Sequence, residues 1–454
     1  MNDAVADFVV VSTYQDLSPQ AVHGAKRALT DCIGVMLAGS KEHLVDIACD
    51  TFLGYDAAHG APVFGHRLKI EPTAAAMING ISAHALDYDD SSETMYGHPS
   101  ASVVPACLAL ASVRPISGKD LLIAYSVGVE VASKLMLSFT NHYDWGWHSS
   151  STLGSLGAVA ACAKVLSLDR SATARALGIA ASLASGIKQN FGTMTKPLHL
   201  GNAARNGAFA ALLSERGFTS DEEDALGGPQ GFCKVFSGGG EYNLQSTVNA
   251  LGNPWEVADP GIRIKLFPCC TSNHRAVEAA IDIARNYEVN PEDIAKIECG
   301  VPWRELEILI RNDPQSGVEA TFSIQYCVAR AMISRELVLS HFDTHQVMDP
   351  RVRSLMKKVS MYVHPEGRKE VMTRELAETS VTMKDGSVLV KKVYEQEGHP
   401  SRPLSDEQVR RKFNECASRA LNEKGVHDVL ELCWRVDELP DVSHLLNTLT
   451  ASTN

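Results

Sequence analysis

Gly157-Ala158-Val159-Ala160-Ala161-Cys162-Ala163 is the stretch on which the fold turns, and Ile179-Ala180-Ala181-Ser182-Leu183-Ala184-Ser185 repeats its character. Both are built from small residues. Such runs give almost no strand signal, because they lack the branched and aromatic side chains that suit a pleated sheet. In helices they let backbones approach closely, and Ala has the best helical propensity. Working outward, a helical pattern extends from about residue 17 to 265. Ser18-Pro19 predicts a helix start, with Ser as N-cap and Pro in the first turn. A second start falls near Pro99-Ser100, and a third near Leu153, where Ser149 to Thr152 offer N-cap hydroxyls.

The pattern changes after Pro268. Ala276 to Tyr287 keeps a helical period, and then Ile294 to Val301 alternates, with Ile297, Cys299 and Val301 on one face. Val359 to His364 is a second strand candidate. Glu378 to Met383 and Val388 to Tyr394 flank Lys384-Asp385-Gly386-Ser387, whose Asp-Gly pair permits the positive backbone angles of a tight hairpin. Ser405 with Gln408 makes a capping box, so a helix is expected from Asp406 to Asn422. The fold class that follows is mainly α with an α+β second domain. Residues 1–267 and 401–454 make a large all-helical domain from both chain ends, and 268–400 make an inserted α+β lid domain. A cleft between two such domains is a natural ligand site.

The 454 residues are 45% hydrophobic and 21% charged, with a formal net charge of −12. That is enough apolar material for a large core and argues against disorder. The acidic balance argues against a nucleic-acid partner, because phosphate binding needs clustered Lys and Arg. The N-terminal residues lack a basic and apolar leader pattern. The longest near-apolar stretch, Leu153 to Leu168, carries Lys164, so no membrane span or membrane partner is expected. Eleven cysteines without a CxxC pair point to reduced thiols and a cytoplasmic setting, with no zinc spacing.

Four polar clusters could carry chemistry. The first runs from Ala85 to Ser100 and holds Asp87, Asp89, Asp90, Ser91 and His98. Its carboxylates could bind a metal, orient a histidine or cap helices. His98 precedes a helix start, where N-terminal N–H groups also attract carboxylates, although a histidine held by backbone would look the same. The second, His142 to Thr152, holds Tyr143 and His148, both able to relay protons, beside hydroxyls that could simply cap a helix. The third, Asn190 to Arg205, places Lys196 among apolar and small residues. There it could act as a desolvated base, bind a carboxylate or sit solvated in a loop. The fourth, Lys265 to His274, lies at the domain junction, with Lys265 as a second cation and Cys270 as a thiol without an implied base. Tyr326 sits on a mostly apolar helix, where a core tyrosine is the plain alternative. HExxH, GxSxG, a dinucleotide fingerprint and a phosphate loop are all missing, and Gly238-Gly239-Gly240 reads as a surface turn. The surviving His, Tyr, Lys and Asp suit acid–base work without a cofactor.

Taken in order, Ala85-Leu86-Asp87-Tyr88-Asp89-Asp90 with His98-Pro99-Ser100, Gly146-Trp147-His148, Lys196-Pro197-Leu198-His199-Leu200-Gly201, and Lys265 with Phe267-Pro268 resemble the MmgE/PrpD family over nearly the whole chain. The family includes 2-methylcitrate dehydratase, cis-aconitate decarboxylase and iminodisuccinate epimerase. The resemblance implies a helical domain with an α+β lid, a homodimer, and no metal or other cofactor. It implies site residues Asp87, His98, His148, Lys196, Lys265 and Tyr326, with Ser91 standing where the decarboxylases have a threonine. Decarboxylases close to the mammalian enzyme carry a histidine where this chain has Cys270. The Pro-x-Cys-x-x-Asn-His pattern and Asn190-Phe191-Gly192-Thr193-Met194-Thr195-Lys196-Pro197 look most like the epimerase branch.

The expected reaction is proton transfer next to a carboxylate on a small polycarboxylic acid, with epimerisation of an iminodisuccinate-like substrate as the leading form. Dehydration and decarboxylation are the lyase alternatives. His98, Tyr143, His148 and Lys196 are the expected catalytic residues, with Asp87, Ser91, Lys265 and Tyr326 binding substrate. In detail, Lys196, Lys265 and His98 would hold carboxylates, Asp87 would orient a histidine, and His148 and Tyr143 would move protons. A non-catalytic carboxylate binder, and a metal-dependent lyase using Asp87, Asp89 and Asp90, are the competing readings. The first predicts binding without turnover, and the second predicts loss of activity with a chelator.

Overall fold

The computed structural model describes residues 1–450 except 53, 55–59 and 373. Helices dominate, and a small mixed sheet lies in the second half of the chain. The Gly157–Ala163 stretch lies in the helix Ser149–Val165, which packs between Gly118–Met136 and Thr195–Glu215. Its small residues are needed there. A Cβ on Gly157 would sit 2.5 Å from the Gly128 carbonyl oxygen and 2.7 Å from Ala132 Cβ. We therefore expect Gly157→Ala to destabilise the protein by about 1–3 kcal/mol, the usual range for overpacking. Urea denaturation measures it, and an unchanged midpoint would show that these helices can separate freely.

Ser18 caps Pro19–Gly39 by accepting from the Ala21 N–H, as its spacing predicts. The helix Asp406–Ala417 carries the expected capping box at Ser405 and Gln408 and packs on Pro19–Gly39. Phe413 meets Gly34 there, and Lys412 pairs with buried Asp31 at 2.7 Å. Side chains from Val5 to Leu449 thus share one apolar core drawn from both chain ends. A second core, from Phe267 to Val381, lies between the helices Thr271–Asn286 and Ile324–Ser334 and a four-stranded sheet. The sheet order is Val359–Val363, Ile294–Val301, Ala377–Met383, Val388–Val393, with the first pair parallel and the others antiparallel. Gly386 takes φ +87° in the turn that joins the last two strands.

Three local expectations need correction. The helical domain is not all helix, because Ala61–Val63 and Leu68–Ile70 form a short antiparallel hairpin. Three-residue strands are too short to show alternation. The last capping-box helix stops at Ala417, because Asn422 caps the next helix, Glu423–Trp434, through the Gly425 N–H. The helix expected to start near Leu153 starts at Ser149 with His148 as its N-cap residue, so the four hydroxyls lie inside its first turn. Among the described residues, no helix is long and apolar enough to cross a membrane.

Candidate active site

The helix Pro72–His84 ends where the first polar cluster begins, and the chain then turns sharply. Asp87 takes a left-handed backbone (φ 48°), which Asp tolerates better than bulkier residues. The turn aims Asp87 at two ammonium groups. Lys196 Nζ donates to Asp87 Oδ1 at 3.1 Å, and Lys265 Nζ donates to the same oxygen at 2.8 Å and to the Asp87 carbonyl at 2.6 Å. Burial pushes the Asp87 carboxyl up, but the two lysines outweigh it and hold the group well below the usual carboxylate range. Burial disfavours the Lys265 ammonium, yet Asp87 wins and raises it. Two ammoniums thus face the Asp87 carboxylate, while Asp89, also held well below the usual carboxylate range, faces His84 and His98.

A second chain of contacts sets His98. Its Nδ1 donates to the Asp90 carbonyl at 2.7 Å and lies 3.3 Å from Asp89 Oδ2, while Nε2 lies 3.9 Å from Asp87 Oδ1. Asp89 in turn accepts from His84 Nδ1 at 2.8 Å. Burial lowers His84 to about 3, so it is a neutral donor. The His84 ring lies 4.6 Å from His98 and 6.2 Å from His148. His148 Nδ1 meets His199 Nδ1 at 3.0 Å. Burial, and then nearby Lys196, pushes both histidines below their ordinary values, His199 to about 4. Both are neutral at pH 7, so one donates to the other.

These groups open on a cavity of about 470 Å³ between the two cores, lined on one wall by Ser91, His98, Tyr143, His148 and Lys196. That volume suits a small ligand. The other wall carries Cys270, Arg275, Arg304, Glu305, Phe322 and Tyr394. Four helix N-termini meet the cavity. His98 precedes Ser100–Ala111, His148 precedes Ser149–Val165, Lys196 sits in the first turn of Thr195–Glu215, and Cys270 precedes Thr271–Asn286. The positive ends of their dipoles favour anions. Lys196 also stands 5.3 Å from the Phe191 ring centre and 5.0 Å from that of Phe322, which keep its ammonium from bulk water. Burial pushes the Tyr143 phenol up, so it keeps its proton. Burial likewise pushes the Cys270 thiol up, to about 11, which leaves it a poor nucleophile at neutral pH.

The structure brings Asp87, His98, His148, Lys196 and Lys265 together, with Tyr143 and Ser91 on the same cavity wall. Ser91 Oγ is buried without a hydrogen-bond partner among the described residues. Three expectations for direct substrate contact, at Asp87, Lys265 and Tyr326, differ from what is found. Lys265 is wholly buried and spent on Asp87, and neither of the two lines the cavity. Asp87 thus sits behind Lys196 and His98, with Lys265 behind Asp87. Tyr326 lies in the second core with its hydroxyl on the His341 carbonyl, because its helix buries that face. It is the core tyrosine of the plainer reading. His142 is likewise held between the Phe236 carbonyl and Thr152.

The three aspartates do not converge on one point. Asp90 turns away to accept from Ser100 at 2.5 Å. His84, Asp87, Asp89 and His98 do place ligand-type atoms within 4.8 Å of one another. Asp87 Oδ1 already pairs with two ammoniums and Asp89 with two ring nitrogens, so a cation there would be repelled by both lysines and would displace those contacts. Sequence reasoning missed Arg263, Arg275, Arg304, His84 and His199. Two had a local signal, because His199 follows Lys196 by one helical turn and Arg263 precedes Lys265 by two residues in an extended segment.

Comparison with known proteins extends the picture. Residues 3–245 match the MmgE/PrpD N-terminal domain, and residues 267–436 match the MmgE/PrpD C-terminal domain. The chain is 30% identical to the cis-aconitate decarboxylase of Mus musculus over 447 residues, covering 95% of this chain and 90% of the relative. It is 30% identical to the Homo sapiens cis-aconitate decarboxylase over 445 residues, covering 95% and 91%. The Aspergillus terreus cis-aconitate decarboxylase is 26% identical over 463 residues, covering 96% and 92%.

Proposed function

The chain belongs to the MmgE/PrpD family, and from that premise we propose that it is a cofactor-independent lyase that decarboxylates a cis-aconitate-like tricarboxylate. One observation carries this reading: four helix N-termini open on one cavity beside the Lys196 ammonium, which Asp87 anchors from behind. An environment that is positive and poor in water stabilises a carbanion next to a carboxylate. Lys196 and His98 hold substrate carboxylates on the helical wall. The bond to the departing carboxyl breaks, its electron pair spreads into a neighbouring carboxylate held by Lys196, and CO₂ leaves. His148 or Tyr143 then delivers a proton to the carbon skeleton. Asp87 and Lys265 keep Lys196 in place, and Asp89 with His84 fixes the His98 ring.

A second reading is favoured by Cys270, which lines the cavity where decarboxylases close to the mammalian enzyme carry a histidine. It is epimerisation of an iminodisuccinate-like substrate, by removal of an α-proton and its return on the opposite face.

Incubation in D₂O with cis-aconitate and a panel of di- and tricarboxylates, followed by NMR and CO₂ release, separates the two. Decarboxylation predicts CO₂ and one deuterium in the product. Solvent label washed into an α-carbon without CO₂ would replace it with the second reading. Neither signal from any of the acids would sink both.

A further inference from the structure

The second-domain wall of the cavity holds a group that the proposed chemistry does not use. Glu305 opens the short helix Glu305–Ile308, is 5% exposed and lines the cavity. Its Oε2 is buried with no hydrogen-bond partner among the described residues. Its Oε1 lies 3.5 Å from Arg275 Nη1. Arg275 is itself 3% exposed, lines the same cavity, and is fixed by its Nε donating to the Tyr394 carbonyl at 2.7 Å and by a pair with Glu375. An unpartnered carboxyl oxygen in such a place costs free energy unless a ligand completes it.

Resting on the tricarboxylate reading above, we propose that Glu305 and Arg275 form the subsite for the substrate's far carboxylate, with Glu305 Oε2 donating a hydrogen bond to it. The two walls then divide the work. Lys196, His98 and His148 on the helical wall meet the two carboxylates on the double bond, which take up the electron pair, while Arg275 and Glu305 hold the carboxymethyl arm until its carboxyl departs. Arg275 has N–H donors left after its three contacts, and a guanidinium suits a carboxylate. Glu305 can donate because burial pushes its carboxyl well above the usual range, more than Arg275 pulls it down, and Glu375 adds to the rise. A protonated Glu305 neither repels the anion nor needs a counter-ion. It also rejects ligands without the far carboxylate, which would leave it unpartnered.

The test compares binding of cis-aconitate with binding of citraconate, which replaces the carboxymethyl arm by a methyl group. Calorimetry on the full chain gives the citraconate affinity, and for cis-aconitate, which the proposed reaction consumes, the KM from steady-state turnover stands in for it. Wild type should prefer cis-aconitate by about tenfold or more. Glu305→Ala should reduce that preference to about threefold or less, through weaker cis-aconitate binding alone. Glu305→Gln is neutral, keeps a donor and should retain the preference. If Glu305→Ala does not fold, Glu305→Met makes the same comparison at similar volume. An unchanged preference in the Ala or Met variant would overturn the subsite, as would equal weakening of both ligands or a Gln variant that behaves like Ala. Wild type that binds both ligands equally also overturns it, and leaves the proposed reaction standing. Wild type that binds neither removes both.

Discussion

Lys196→Met is expected to lower kcat/KM by about a thousandfold while the protein stays folded. Lys196 is the ammonium that both lines the cavity and touches Asp87. Met has nearly the same length and no charge, so packing against Phe191 and Phe322 survives. Asp87 is not left bare, because Lys265 still donates to it twice. Stability should therefore change little while the positive charge at the developing carbanion is lost. One preorganised charged donor in a dry site is worth roughly 3–4 kcal/mol in the transition state. Steady-state kinetics beside a thermal melt checks this. A kcat/KM within tenfold of wild type would remove Lys196 from the chemistry, and a collapsed melt would recast it as structural.

Asp87→Asn has the opposite balance. Asn tolerates the left-handed backbone at this position, so the turn itself is spared. The buried ammoniums of Lys196 and Lys265 lose their counter-ion, and breaking one partner of such a cluster costs about 3–5 kcal/mol. The sign with pH follows from linkage. The Asp87 carboxyl is depressed in the folded state, so its stabilisation is fully present above the unfolded carboxylate value, about 4. It is lost as pH falls through the lower folded value. The gap in unfolding free energy between wild type and variant should be largest near pH 7 and should narrow below about pH 4. Urea titrations at both pH values decide it. A gap that stays constant or widens in acid would mean that Asp87 is not the ionised anchor of the two lysines. Activity should fall with stability, because Lys196 loses the group that positions it.

Much of this protein is written locally. Ser18 and Ser405 announce their helices because an N-cap hydroxyl answers to N–H groups within three residues. The strand Ala377–Met383 buries alternate residues, as a half-buried strand must, whereas in Ile294–Val301 the expected alternation breaks, because the register shifts near its start and its last three residues are all buried. The short hairpin at 61–70 stays hidden because three residues per strand carry no period. The site is legible as a set of residue types. His98, His148 and Lys196 lie beside helix starts, and helix starts can be read from sequence.

Residue identity and spacing alone determined the small-residue helices, the change of pattern after Pro268 and the candidate polar clusters. These depend on forces that act over a turn of helix or a pair of strand residues. Only the tertiary structure decided that Lys265, 178 residues away, is spent on Asp87 rather than on substrate. It alone moved Tyr326 into a core and set Glu305 in a cavity wall. The physical reason is that a charge's role depends on which partner is nearest in a medium of low dielectric, and that partner comes from a distant segment whose packing no local pattern encodes.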